Sequence, residues 1–200
     1  MRYADDILIF AETPRRAQKY LQIATEILEE ELKLVINKDK THITSVYEGV
    51  PYLGFVIWPK VVTIHPKKIK KFKDRIRELT PRNHGKNIKQ IVQELNPVLR
   101  GWANYFRVAN CKELFAKIMG WIRRRLRMKQ MREWKNYKQL HKALRRRGYK
   151  GEFKKISMRR WKNSASPLIN MALPNSWLDE LGLIDLSSYK TGLLPLYYER

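Results

Sequence analysis

The apolar residues of this chain change rhythm near residue 66. Before it, apart from one helical stretch, they come in short β-branched runs split by turn residues; after it they recur at three- and four-residue spacing. The first run, Ile7 to Phe10, follows Met-Arg-Tyr-Ala-Asp-Asp. It reads as the buried returning strand of a tight hairpin with Asp5 and Asp6 at its tip. Side chains alternate along a strand, so the two acids face opposite ways. Thr13-Pro14 then offers an N-cap and a proline at the first helical position. Ala17, Tyr20, Leu21, Ala24, Ile27, Leu28 and Leu32 continue at helical spacing. This helix is expected to pack on the sheet that carries Asp5, with Glu29 to Glu31 at its solvated end. Residues 32–44 predict a short strand, a polar turn at Asn37 to Asp39 and a second strand. In Val50 to Ile57, Gly54 marks a strand or turn where another backbone comes close. Val61 to Ile64 predicts a short strand pairing with it.

From Pro66 the pattern is helical. Ile69, Phe72, Ile76 and Leu79 form one face, and Thr80 to Lys86 reads as a loop. A second stripe runs from Ile88 to Phe106, with Pro97 predicting a kink or break near Asn96. A third uses Leu114, Phe115, Ile118, Trp121, Ile122 and Leu126. Three consecutive helices suggest an antiparallel bundle. The periodicity makes Trp102, Tyr105, Phe106 and Trp121 core residues rather than base-stacking platforms. Beyond residue 134, Gly148 should end a helix that starts near Asn136. Ser164 to Pro167 reads as a turn. Leu168 to Leu186 holds a helix with an N-cap near Asn175 or Ser176 and a stop at Gly182. Poor order is expected from Gly192 to Arg200.

Charge is divided just as unevenly. Residues 1–58 carry a net charge of −2, residues 59–162 carry +27 and residues 163–200 carry −2. A middle block this basic, interspersed with Trp, Tyr and Phe, fits a phosphate-backbone partner. Its candidate contacts include Lys67, Lys68, Lys70, Lys71, Arg75, Arg100, Arg123, Arg124, Arg127, Arg145, Arg146 and Arg147. An anionic membrane fits less well, because the block lacks an amphipathic helix with a bulky insertion face. No apolar run reaches the about 18 residues of a membrane span, and Asp5 and Asp6 interrupt any signal-peptide core. A lone cysteine, Cys111, excludes an internal disulfide framework and a Cys-rich zinc site, and points to a reducing, intracellular compartment.

Candidate chemistry centres on Asp5 and Asp6. Nucleotidyl transfer needs hard oxygen ligands for two Mg²⁺ ions, at the attacking hydroxyl and at the leaving phosphate. A bare Asp-Asp pair is also a common polar turn; Tyr-Ala-Asp-Asp followed by an apolar strand is much more specific. Lys40 could neutralise or protonate a pyrophosphate leaving group, although on spacing alone it is a loop lysine in solvent.

These motifs, in this order, resemble the C-terminal half of a group II intron-encoded reverse transcriptase/maturase. Arg2 to Phe10 resembles the catalytic palm motif. Leu32 to Ile43, with Lys40-Thr41, resembles the next palm motif. Tyr52-Leu53-Gly54-Phe55 is similar to the primer grip. Leu95-Asn96-Pro97-Val98-Leu99-Arg100-Gly101-Trp102-Ala103-Asn104-Tyr105-Phe106 closely resembles the signature of the maturase-specific region, called domain X or thumb. Leu168 to Tyr189 is similar to the small DNA-binding tail of compact bacterial members. The resemblance implies an α+β chain in three parts: a partial palm (residues 1–65), a helical thumb (66–133) and a basic helical tail (134–200). It implies that Asp5 and Asp6 are catalytic and hold Mg²⁺, that Lys40 serves the leaving phosphate, and that Tyr52, Leu53 and Gly54 contact primer. It also implies intron RNA and an RNA template/DNA primer duplex as partners. The compartment would be bacterial cytoplasm, or an organelle in a eukaryote.

The family pattern also includes a further metal-binding aspartate and the fingers, both upstream of the Asp5 motif. The expectation is therefore an RNA-binding splicing and mobility factor, with an incomplete Mg²⁺ site and no polymerisation by this chain alone. The alternative is an RNA-directed DNA polymerase, completed by an upstream polymerase fragment or a second copy.

Overall fold

A computed structural model describes residues 1–81 and 85–193. Residues 82–84 of the expected loop, and residues 194–200 of the expected poorly ordered end, lie outside the described residues. The chain is α+β and divides into two units, Met1–Val61 and Val62–Arg200.

Unit 1 opens with strands β1 (Arg2–Tyr3) and β2 (Asp6–Ile7), antiparallel with Tyr3 opposite Asp6. Helix α1 (Pro14–Glu26) starts as its residues dictate: Thr13 Oγ1 accepts from Arg16 N–H at 3.3 Å, and Pro14 sits in the first turn. It runs into a π-helical turn, Ile27–Glu31. Strands β3 (Val50–Tyr52) and β4 (Phe55–Ile57) form a second antiparallel hairpin.

Three expectations for this unit need correction. Ile7 to Phe10 is not a buried strand: the strand ends at Ile7, Leu8 adds one last pair of backbone bonds with Met1, and Ile9 and Phe10 are about half exposed, at 49% and 56%. Helix α1 buries no side chain, so it does not make the packed helix–sheet layer its pattern suggested. The strands expected within residues 32–44 do not form, and Val35 is 96% exposed. The turn between them does. Asn37 Oδ1 accepts from the backbone N–H of Asp39 and Lys40 at 3.1 and 3.2 Å. A local side-chain bond of this kind needs no neighbour, whereas a strand needs a ladder partner.

Unit 2 begins with β5 (Val62–Ile64), which exchanges bonds with Asn110: Val62 N–H donates to Asn110 Oδ1, and Asn110 N–H to Val62 O. Helices α2 (Pro66–Leu79), α3 (Ile88–Phe106) and α4 (Lys112–Trp134) follow. Their apolar stripes meet in one core. Phe72 and Ile76 from α2 join Ile91, Val92, Leu95 and Leu99 from α3, and Phe115, Ile118, Ile122 and Leu126 from α4. Trp102 stacks on Phe72 with ring centres 4.1 Å apart. Tyr105, however, is exposed and Trp121 only partly buried, so the expectation that both are core residues is corrected: one side of each helical stripe faces outward. Each fully buried Leu, Ile or Phe contributes about 1.5–3 kcal/mol of transfer energy.

Helix α3 is not broken at Pro97. Proline there removes one backbone bond to the carbonyl of Gln93, and both residues are exposed, so water can serve the carbonyl. Asn87 and Gln90 close the helix start with a reciprocal capping box.

The remaining elements are α5 (Tyr137–Arg146), a 3₁₀ turn (Trp161–Ala165), α6 (Pro167–Ala172), α7 (Asn175–Glu180) and a last 3₁₀ turn (Leu186–Ser188). Ser166 caps α6, so the expected turn at 164–167 is the entry to a helix. Leu140 and Leu144 pack with Met131, Met158, Ile169 and Leu173 in a second apolar cluster. No helix of the described residues is long and apolar enough to cross a membrane.

Candidate nucleic-acid interface and metal site

The acidic hairpin turns on two residues, Ala4 and Asp5, so Asp5 stands in the turn and Asp6 begins the return strand. Ala4 takes a positive φ of 49°, which costs an L-residue about 1–2 kcal/mol. Both carboxylates are exposed. Tyr52 Oη donates to the Asp6 carbonyl at 3.4 Å, so the structure brings the Tyr52 hairpin to the acidic one. The Leu53-Gly54 turn of that hairpin has φ of 49° and 86°, the signs of a type I′ turn. Glycine suits the second position, and Leu53 carries the strain at the first. Lys40 is exposed in the Asn37 turn.

Among the described residues, no group of three or more His, Cys, Asp or Glu side chains converges as a metal site. Mg²⁺ is commonly held by one or two carboxylates with waters and substrate phosphates completing its shell. Asp5 and Asp6 are the donor type such an ion takes, and two carboxylates are too few to hold two ions.

The cations separate into two groups. Lys67, Lys68, Lys70, Lys71 and Arg75 are exposed along α2, as are Arg100 on α3 and Arg145, Arg146 and Arg147 at the end of α5. Lys67, Lys70, Lys71 and Arg75 border an open groove of about 380 Å³, together with Asp74 and Glu78. Arg75 pairs with Glu78 at 2.8 Å. Arg145 lies over the Phe153 ring, and Arg147 Nε donates to Ala172 O.

The α4 arginines are placed differently. Arg123 pairs with Asp185 at 2.9 Å. Arg124 donates to Ser164 Oγ and Trp161 O. Arg127, 9% exposed, donates to Leu173 O and Asn175 Oδ1, both at 2.8 Å. Burial, and then the neighbouring Arg123 charge, push the Arg127 pKa down. Asp185 is also perturbed. Burial pulls it up, but hydrogen bonds from Ser187 and the Arg123 charge outweigh that and hold it below the ordinary range.

Three residues escaped the sequence reading. Arg125 donates to both Oγ1 and the carbonyl of Thr80, each at 2.7 Å. Trp161 lies under the Arg124 guanidinium, 4.5 Å from its ring centre. Asn96 clips the chain near Gly182: its Nδ2 donates to Gly182 O at 2.8 Å, and its Oδ1 accepts from Ile184 N–H at 3.0 Å. Gly182 itself takes a positive φ of 79° to end α7. The sequence signal was Asn96 beside Pro97, which pointed to a helix break rather than to a clip.

Two family models match. "Reverse transcriptase (RNA-dependent DNA polymerase)" covers residues 1–57. "Group II intron, maturase-specific domain" covers residues 69–148. Comparison with curated proteins gives no match. With one model following the other along a single α+β chain, the protein belongs to the group II intron reverse transcriptase/maturase family.

Proposed function

We propose that this chain is an RNA-binding part of a group II intron reverse transcriptase/maturase that assists intron splicing and mobility. The observation that carries this is the net +27 of residues 59–162, with its lysines exposed along α2 and its arginines at the end of α5. Structured RNA is held through its backbone and 2′-hydroxyls rather than base edges, and an array of exposed cations suits that task. The division proposed is a palm portion (1–65), a thumb portion (66–133) and a basic tail (134–200), the tail also being a candidate DNA-binding region. Neutralising phosphates releases counterions, so affinity for intron RNA should fall steeply with salt. Anisotropy titrations over a salt series test this; an affinity indifferent to salt would count against it.

A second reading rests on the Tyr52–Asp6 contact, which gathers the primer-grip candidate and the acidic hairpin. Under it, Asp5 and Asp6 hold Mg²⁺, Lys40 faces the leaving pyrophosphate, and Tyr52, Leu53 and Gly54 guide a DNA primer on its RNA template. Bound there, Mg²⁺ would supply charge neutralisation at the reacting phosphate. Asp5 and Asp6 would orient it, and Lys40 would hold or donate a proton at the leaving oxygen. Since no third carboxylate converges among the described residues, a further acid would come from an upstream polymerase polypeptide or a second copy. Primer extension with and without such a polypeptide, beside Asp5→Asn, tests it. Extension that disappears in the variant supports polymerisation; its absence from every mixture argues for RNA binding alone.

A further inference from the structure

We infer that unit 2 carries a pocket for one unpaired nucleotide of RNA, built where Trp121 and Trp161 meet the cations of α4. This rests on the RNA-binding function proposed above and deepens it. A cavity of about 240 Å³ lies between the C-terminal end of α2, at Thr80 and Pro81, one face of α4, and Trp161. Helix α4 contributes Trp121, Arg125, Met128, Lys129 and Arg132. Their spacing puts them on one stripe of the helix. Met128 is buried and supplies a soft apolar surface.

The two indoles are positioned in advance. The Arg124 guanidinium covers Trp161 and donates to its carbonyl oxygen. The Arg125 guanidinium is fixed by Thr80 and sits 5.3 Å from the Trp121 ring centre. A ligand arriving here finds side chains already ordered, which lowers the entropic cost of binding it.

The lining selects the ligand. Among the described residues no carboxylate borders the cavity; Glu133, which pairs with Lys129 at 3.9 Å, stands outside that lining. Indole faces and guanidinium planes are what an unstacked base packs against, and Lys129 and Arg132 offer charge to its phosphates. A simple anion would make no use of the two indoles and Met128, and an apolar molecule none of the three cations. The volume falls below the roughly 300–1,000 Å³ of a drug-sized ligand site, which suits one base rather than a longer segment. A paired base stays stacked in its helix, so the occupant is a bulged or looped-out nucleotide, whose extrusion costs least.

The test uses the full chain and two RNA hairpins of equal length, one fully paired and one with a single-nucleotide bulge. The bulged hairpin should bind about tenfold tighter, the gain expected from one stacked base. Trp161→Leu and Trp121→Leu should bring it down to the paired hairpin's affinity, leaving the paired affinity and its salt slope unchanged. Trp161→Phe keeps an aromatic face and should keep the preference. Without any substitution, 5-iodouridine at the bulge should photocrosslink to Trp121 or Trp161. Equal affinity for the two hairpins, or crosslinks mapping elsewhere, would overturn the pocket while leaving salt-dependent RNA binding in place. Binding of neither hairpin would overturn both.

Discussion

Unit 1 and unit 2 are folded by different means. Among the described residues unit 1 has no buried side chain, whereas unit 2 holds every residue of the apolar core. Unit 1 is a set of local devices: a capped helix, an asparagine turn and two tight hairpins. Each is satisfied within a few residues. Unit 2 is held by interactions between residues far apart in sequence, both apolar and polar. A helix cap or a turn needs only neighbouring residues, but a core needs facing stripes. Unit 1 has stripes, on α1 for instance, whose residues are at most partly buried.

Substitutions should expose that contrast most sharply in the cores. Phe115 is fully buried, and Phe115→Ala should cost about 3–5 kcal/mol in urea unfolding. Phe10→Ala in unit 1 should stay within about 0.5 kcal/mol, as exposed substitutions usually do. A comparable loss at Phe10 would show that unit 1 has a core after all.

Next come the polar clips of unit 2. Arg127→Ala leaves the Leu173 carbonyl and Asn175 without their donor and should cost about 2–3 kcal/mol. Asn96→Ala removes two bonds to the 182–184 segment and should cost about 1–2 kcal/mol. Lys67→Ala, on the open face of α2, should change stability little. In unit 1, Thr13→Ala removes a cap worth about 1 kcal/mol of helix. It should lower helicity by circular dichroism without moving the unfolding of unit 2.

The helices were legible because their apolar stripes are long and regular, and the stop at Gly182 was legible because only glycine tolerates that backbone cheaply. The strands within 32–44 were not. A β-branched run looks the same whether or not a ladder partner exists, and Leu34 and Val35 found none. The arginines posed the same problem in another form. Nothing in Arg123-Arg124-Arg125-Leu126-Arg127 distinguishes a cation facing solvent from one bonded to a carbonyl far along the chain. Their partners, Asp185 for Arg123, Ser164 for Arg124, Thr80 for Arg125 and Asn175 for Arg127, lie far along the chain, where nothing local marks them. Asp5 and Asp6 stood out by their tetrapeptide, while Trp161 sat in a basic run where its role had no local mark.

Acid should act on the same clips. The Asp185 pKa is depressed in the folded chain, so its contribution is complete above the ordinary carboxylate value of 3.8 and is lost as pH falls toward the lower folded value. Denaturation curves below pH 4 should show this step, and Asp185→Asn should flatten it. The smallest effect concerns Cys111. Burial pushes its thiol up to about 11, so alkylation of the native chain at pH 8 should be slow and should quicken on unfolding.

The most direct measurement is the salt dependence of intron-RNA affinity for three proteins: the native chain, a Lys67→Gln/Lys70→Gln/Lys71→Gln variant and Arg123→Gln. The α2 variant should bind more weakly, with its log–log salt slope reduced by about 0.7–0.9 for each phosphate it no longer neutralises. Arg123→Gln should lose folding stability while keeping the native slope. A native slope in the α2 variant, with the reduction appearing in Arg123→Gln instead, would contradict the division between cations that hold RNA and cations that hold the fold.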